Sequence, residues 1–221
     1  MTRLCPPGSI VVSCQAGTDN PLHGPAAMAL MARAAVAGGA AAIRANGVRD
    51  IAAIRDAVDL PIVGIDKVGD PSGVFITPDA ASAVEVVRAG ADVVALDGTL
   101  RRRPDGRSLR EQVAEIRERV GVELMADVDS LEAGIAAREA GVDLVATTLS
   151  GYTGGDVPDG PDVRLVAALA QSLDCPVIAE GRYWTPDDVR AGFAAGAHAI
   201  VVGTAITNPM AITRRFVAVT R

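Results

Sequence analysis

Ala89-Gly90-Ala91-Asp92 has three counterparts in the chain: Ala37-Gly38-Gly39-Ala40 before it, and Ala140-Gly141-Val142-Asp143 and Ala195-Gly196-Ala197-His198 after it. Each sets a glycine where a segment of helical periodicity stops and an apolar run begins, the place where a helix commonly ends. The glycines at 38, 90, 141 and 196 are separated by 52, 51 and 55 residues. That period fits two βα modules, so four copies give eight. The compact closed solution for eight modules is a (β/α)8 TIM barrel, an α/β fold expected here as a single domain over residues 1–221.

The apolar runs between these glycines agree. They are Ile10 to Gln15, Ala41 to Arg44, Pro61 to Lys67, Asp92 to Asp97, Glu123 to Asp127, Leu144 to Thr148, Pro176 to Glu180 and Ala199 to Gly203. Their Val/Ile/Ala content is that of parallel strands buried on both faces. Helix starts are signalled by Thr185-Pro186, with proline at the first helical position, and by Asp129 with Glu132 as a capping box.

In such a barrel the carboxyl ends of the strands share the face that carries the chemistry. Read off directly, that face holds Gln15, Arg44, Lys67, Asp97, Asp127, Thr147 and Thr148, Glu180 and Gly203. Unpaired polar and charged groups at a core boundary cost several kcal/mol or so, which packing alone does not explain. Lys67 is the only lysine, against twenty arginines. An amine can lose its proton and a guanidinium cannot, so this choice points to lysine chemistry. Lys67 and Glu180 form a candidate acid–base pair able to exchange protons with opposite faces of one carbon, with neutral Lys67 favoured by burial and by cations such as Arg44. Asp66, adjacent to Lys67 in the strand, is expected on the opposite face.

Glu180-Gly181-Arg182 and Gly203-Thr204 end the seventh and eighth runs, whose loops commonly bind phosphate through backbone N–H groups and a following helix start. Arg101, Arg102 and Arg103 follow the fourth run and read as a solvated charge run, with a lid role open. Ser150 to Gly155, after the sixth run, is either a mobile substrate loop or a surface turn, and Tyr152 within it is placed to contact a sugar. His23 and His198 are isolated, His198 at the face away from the chemistry, and no metal site is written in the sequence.

Composition narrows the class. Aromatic residues make up 3% and the formal charge is -6, which argues against base stacking and phosphate-backbone binding, so no nucleic acid partner is expected. No signal peptide or membrane span is recognisable, and an odd three cysteines without metal spacing read as reduced thiols in the cytoplasm. Cys14 reads as a buried small hydrophobe. Ala-rich helices suit a homodimer and ordinary barrel exterior equally.

The chain resembles the N-acetylmannosamine-6-phosphate 2-epimerases of sialic acid catabolism. The likeness runs through Ser13-Cys14-Gln15, Ile43-Arg44-Ala45-Asn46, Ile62-Val63-Gly64-Ile65 leading to Lys67, Phe75-Ile76-Thr77-Pro78 and Leu96-Asp97-Gly98-Thr99. It continues through Met125-Ala126-Asp127, Thr147 to Thr153, Ala179-Glu180-Gly181-Arg182 and Val202 to Thr207. The resemblance implies a (β/α)8 barrel interconverting N-acetylmannosamine 6-phosphate and N-acetylglucosamine 6-phosphate without a redox cofactor. It implies Lys67 as catalytic base and Glu180 as second catalytic carboxylate. Gln15, Arg44 and Asp127 would hold the sugar, and Gly181, Arg182, Gly203 and Thr204 the phosphate. Two departures stand out. Val68-Gly69-Asp70 follows the lysine where many relatives carry Arg-Asp, and Asn208 stands where many carry an arginine. The residues alone leave two rivals open: a lysine Schiff-base aldolase, and a sugar-phosphate-binding barrel without turnover.

Overall fold

The computed structural model describes residues 2–154 and 157–220. Eight strands, β1 (Ser9–Cys14), β2 (Ala42–Asn46), β3 (Ile62–Ile65), β4 (Val93–Asp97), β5 (Glu123–Asp127), β6 (Leu144–Ala146), β7 (Val177–Glu180) and β8 (Ala199–Val202), pair in parallel in chain order. The ring closes where β1 meets β8, from Ser9 opposite Ala199 to Val12 opposite Val202. Helices α1 (Pro25–Ala37), α2 (Val48–Ala57), α3 (Ala80–Arg88), α4 (Leu109–Arg119), α5 (Leu131–Ala140), α6 (Val163–Ser172) and α7 (Pro186–Ala194) each follow a strand. After β8 come the short α8 (Thr204–Thr207) and α9 (Pro209–Val217). The eight expected runs all became strands. Among the described residues no helix is long and apolar enough to cross a membrane.

Strand alternation divides the core in two. Val11, Ala42, Val63, Ile65, Val93, Ala95, Met125, Leu144, Ala146, Ile178, Ala199 and Val201 fill the barrel interior. Their neighbours, among them Val12, Ile43, Ile62, Val94, Leu96, Leu124, Val145 and Ile200, pack beneath the helices. Carrying the two-residue period one step past the interior set brings Ser13, Arg44, Lys67, Asp97, Asp127, Thr148, Glu180 and Gly203 inward at the carboxyl-terminal rim, and a second step along β1 adds Gln15. At the opposite end Leu4 and Cys5 cap the interior, and the His198 ring donates to the Cys5 carbonyl at 2.9 Å.

The repeated motif has a physical basis. Gly90, Gly141 and Gly196 lie at φ 110, 102 and 99°, a region that residues with a Cβ rarely adopt. In the first copy the left-handed residue is Gly39, at φ 92°, and Gly38 is helical, so the structural period runs 39, 90, 141, 196. The motif's aspartates are staples. Asp92 accepts from Arg55 at the end of α2 and from the Ile62 N–H at the start of β3, at 2.5 and 2.9 Å. Asp143 does the same with Arg117 of α4 and the Leu124 N–H of β5, at 2.5 and 2.8 Å. Arg55 and Arg117 also donate to the carbonyls of Gly90 and Gly141.

Two local expectations are corrected. Helix α7 starts at Thr185-Pro186 as expected, and Thr185 further forms a capping box with Asp188. The cap of α5, however, is Ser130, which accepts from the Ala133 N–H, one residue beyond the Asp129–Glu132 box read from sequence. Asp129 instead accepts from the Thr153 hydroxyl in the loop after β6. The arginine run after β4 is not a solvated patch. Arg103 is 4% exposed and bonds to Gln112 and the Asp97 carbonyl, while Arg101 reaches Asp97, Thr99 and the Ser72 carbonyl. Only Arg102 of the three is exposed with no partner among the described contacts.

Candidate active site

The carboxyl-terminal mouth opens into a cavity of about 570 Å³ lined by Gln15, Arg44, Lys67, Tyr152, Glu180, Gly181, Arg182, Gly203 and Thr204, among others. That size suits a small-molecule ligand. Lys67 follows β3, where Gly64 makes close packing feasible: a Cβ there would sit 2.5 Å from Val86 and 2.7 Å from Ala91. Beyond β3 the chain folds back on itself. Lys67 bridges Ile76 in antiparallel sense, Val68 N–H donates to the Phe75 carbonyl, and Lys67 N–H donates to Asn46 Oδ1. The lysine backbone is therefore fixed from both sides, and its amine donates to Gln15 Oε1 at 2.9 Å. Gln15 in turn donates from Nε2 to Ser13 Oγ at 2.9 Å, so the amide bridges the lysine and the serine.

Across the mouth, β7 lies four strands from β3 in the ring, so Glu180 and Lys67 enter from opposite walls. Between them runs a buried ion cluster. Arg44, 1% exposed, grips Asp127 with both terminal nitrogens, at 3.0 and 2.5 Å, and reaches Glu180 Oε2 at 2.9 Å. Thr148 Oγ1 lies 2.7 Å from Asp127 Oδ1 and 3.0 Å from Glu180 Oε2. Burial of the guanidinium works against its charge, but Asp127 and then Glu180 outweigh it and hold Arg44 above its usual value.

These neighbours tune the pair. Burial, then the Arg44 charge, lowers the Lys67 amine from its ordinary value, against the opposite pull of Glu180 and Asp127. Solvent reaches the lysine through the open mouth, yet surrounding protein mass still disfavours its charge. The Glu180 carboxyl is raised above its ordinary value, first by burial and further by Asp127, with Arg44, Thr148 and Lys67 opposing. An amine made easier to deprotonate thus faces a carboxyl made harder to deprotonate.

The expected site residues differ in what they reach. Asp127 is fully buried and does not line the cavity; both oxygens are committed to Arg44 and Thr148, so it sits behind the wall and orients Arg44. Arg182, at φ 59° after Gly181 at 112°, lines the cavity but gives its guanidinium to the Ser150 and Gly160 carbonyls and lies 5.3 Å from the Tyr152 ring centre. Its side chain ties the loop after β6 to the loop after β7. Tyr152 is 58% exposed at the mouth; of its loop, Gly155 lies outside the described residues. Gly203 precedes α8, and a Cβ there would press on Ser13 at 3.2 Å. Asn208 lines the cavity, caps α9 through the Ala211 N–H and accepts from Asn20. Thr148, expected on this face but given no role, bridges the cluster, and Ser13, which sequence reading left out, lines the cavity because the period of two that places Lys67 inward places it inward too. Cys14 is fully buried and burial pushes its thiol up to about 12, which leaves it inert. Asp66 lies off the inward face, its carboxyl raised by burial and by Asp79 at the cap of α3.

Comparison with known proteins gives one answer. The profile of the family described as "Putative N-acetylmannosamine-6-phosphate epimerase" matches residues 28–221. A protein of Cutibacterium acnes carrying the corresponding 2-epimerase name is 52% identical over 95% of this chain and 92% of its own length. One from Caldanaerobacter subterraneus, similarly named, is 47% identical over 94% of this chain and 89% of its own. The solved structure of the N-acetylmannosamine-6-phosphate 2-epimerase from Clostridium perfringens superposes with a TM-score of 0.92 at 42% identity, covering 96% of this chain and 93% of the other. Orotidine 5'-phosphate decarboxylase from Pyrococcus horikoshii, at 17% identity and a TM-score of 0.62, shares the barrel alone. With a closed eight-stranded barrel and these relatives, the chain belongs to the N-acetylmannosamine-6-phosphate 2-epimerase family of carbohydrate isomerases.

Proposed function

We propose that this chain interconverts N-acetylmannosamine 6-phosphate and N-acetylglucosamine 6-phosphate by moving a proton at C2, with Lys67 as the base. The observation that carries the reading is the sole lysine, held by Gln15 at the cavity wall opposite Glu180. The open-chain aldehyde at C1 acidifies C2. The Lys67 lone pair takes the C2 proton, the C–H electrons form a C1=C2 bond, and the aldehyde oxygen becomes an enolate oxygen. Arg44, in the cavity wall, would favour that negative charge, and Gln15 would offer its second amide hydrogen; a well-placed donor contributes roughly 3 kcal/mol in such a role. The Glu180 carboxyl then delivers its proton to the other face of C2. The configuration at C2 is inverted, and the proton taken by Lys67 returns to Glu180 through solvent.

The phosphate would sit against the backbone of Gly181, Arg182, Gly203 and Thr204, where left-handed and Cβ-free residues bring N–H groups to the cavity. Tyr152 would cover the sugar from the rim. Asp127 would act through Arg44 and not by touching the substrate.

The active pair holds one proton between its two members, on Glu180 in one direction and on Lys67 in the other. The dependence of kcat/KM on pH is therefore expected to be a bell with the same limbs in both directions. It falls on the acid side when both groups are protonated and on the alkaline side when neither is. The acid limb should lie above the ordinary glutamate value of 4.5 and the alkaline limb below the ordinary lysine value of 10.5. Stopped assays of sugar phosphate ratio across pH read both limbs. An alkaline limb at or above the ordinary lysine value would contradict Lys67 as a tuned base.

A further inference from the structure

Thr148 stands between two carboxylates with one hydrogen to give. Its hydroxyl oxygen is 2.7 Å from Asp127 Oδ1 and 3.0 Å from Glu180 Oε2, and a hydroxyl has a single donor. The two acceptors differ in what else can solvate them. Asp127 is fully buried, so its charge is met only by Arg44, Thr148 and the protein around them. The Glu180 side chain is 15% exposed at the cavity, where solvent or substrate can reach it. The hydrogen is worth most to the charge that water cannot reach, and the shorter distance agrees.

We propose that Thr148 is a positioning residue for Glu180: committed as donor to Asp127, it turns a lone pair toward Glu180 and so holds that carboxyl in its protonated, proton-delivering form. A carboxylic acid can donate to this lone pair, whereas an ionised carboxylate meets only another oxygen. Counted as a plain donor, the same hydroxyl would lower the proton affinity of Glu180. The two orientations thus predict opposite signs. The other charges facing Glu180 are Arg44 from β2, Asp127 from β5 and Lys67 after β3, and Thr148→Val leaves all three in place.

The inference rests on the proposed acid role of Glu180, and the test separates the two. The carboxylic acid carbonyl band of Glu180, identified in the infrared spectrum as the band missing from Glu180→Gln, is titrated in wild type, Thr148→Val and Thr148→Ser without substrate. The acid limb of kcat/KM is measured in parallel. In Thr148→Val the band and the acid limb are expected to move to lower pH by about half to one unit, the change in affinity when one hydrogen bond to the neutral acid is lost. Thr148→Ser, which keeps the hydroxyl, should titrate as wild type and controls for packing. Movement to higher pH, or none, in a folded Thr148→Val protein overturns the role of Thr148. A band that titrates as expected with no matching acid limb would leave the Thr148 contact standing and overturn Glu180 as the proton donor.

Discussion

Lys67→Arg is expected to reduce epimerisation by about a thousandfold or more while leaving the unfolding midpoint close to wild type. The substitution keeps the positive charge and the stem, so a lysine needed only to bind the phosphate or steady a carboxylate would be largely replaced. It removes the one property a base needs, because a guanidinium does not give up its proton near neutral pH. The site also makes the change structurally mild. Lys67 is exposed at the mouth, and its backbone is fixed by Ile76 and Asn46 independently of the side chain. Activity is read by following the two sugar phosphates, and folding by thermal melting. Near-wild-type turnover in this variant would sink Lys67 as the base.

Asp127→Ala has the second large expected effect, and it falls on stability and chemistry together. Truncating one member of a buried ion pair costs about 3–5 kcal/mol, because the remaining charge stays buried without its partner. Arg44 would be left with Glu180 as its nearest anion. That pull favours the ionised form of Glu180 and deprives the reaction of its proton donor. The expected signature is a lower denaturation midpoint with a fall in kcat, and a smaller change in KM. A sugar-holding Asp127 would instead raise KM with stability little changed, so one set of kinetic and denaturation curves distinguishes the two.

Much of this arrangement is legible from the sequence, and the reason is periodicity. The left-handed glycines fix where helices end, and the apolar runs fix where strands stand. The two-residue period then carries Val63 and Ile65 on to Lys67, and Leu144 and Ala146 on to Thr148. Local patterns of this kind survive folding because they arise from backbone sterics and burial. What stays hidden is the identity of long-range partners. Asp127 reads as a rim carboxylate until Arg44, arriving from three strands away, takes both its oxygens. Arg101 and Arg103 read as solvated until the Asp97 side chain and carbonyl and Gln112 are seen to receive them. Arg182 reads as part of the phosphate loop, and nothing in sequence tells that its fork meets the Ser150 and Gly160 carbonyls. Arginine side chains are long enough that sequence position does not fix which acceptor they meet. The cap at Ser130 was displaced for a smaller reason: aspartate and serine both cap helices well, and Asp129 has another partner in Thr153.

The most direct test of proton transfer by Lys67 is NMR of pure protein with N-acetylmannosamine 6-phosphate in D₂O. The C2 proton signal should be lost and deuterium should appear at C2 of both sugar phosphates as they approach equilibrium, with no label gained by either sugar in the presence of Lys67→Arg. Conversion to N-acetylglucosamine 6-phosphate with the original hydrogen retained at C2, or full labelling by Lys67→Arg, would contradict it.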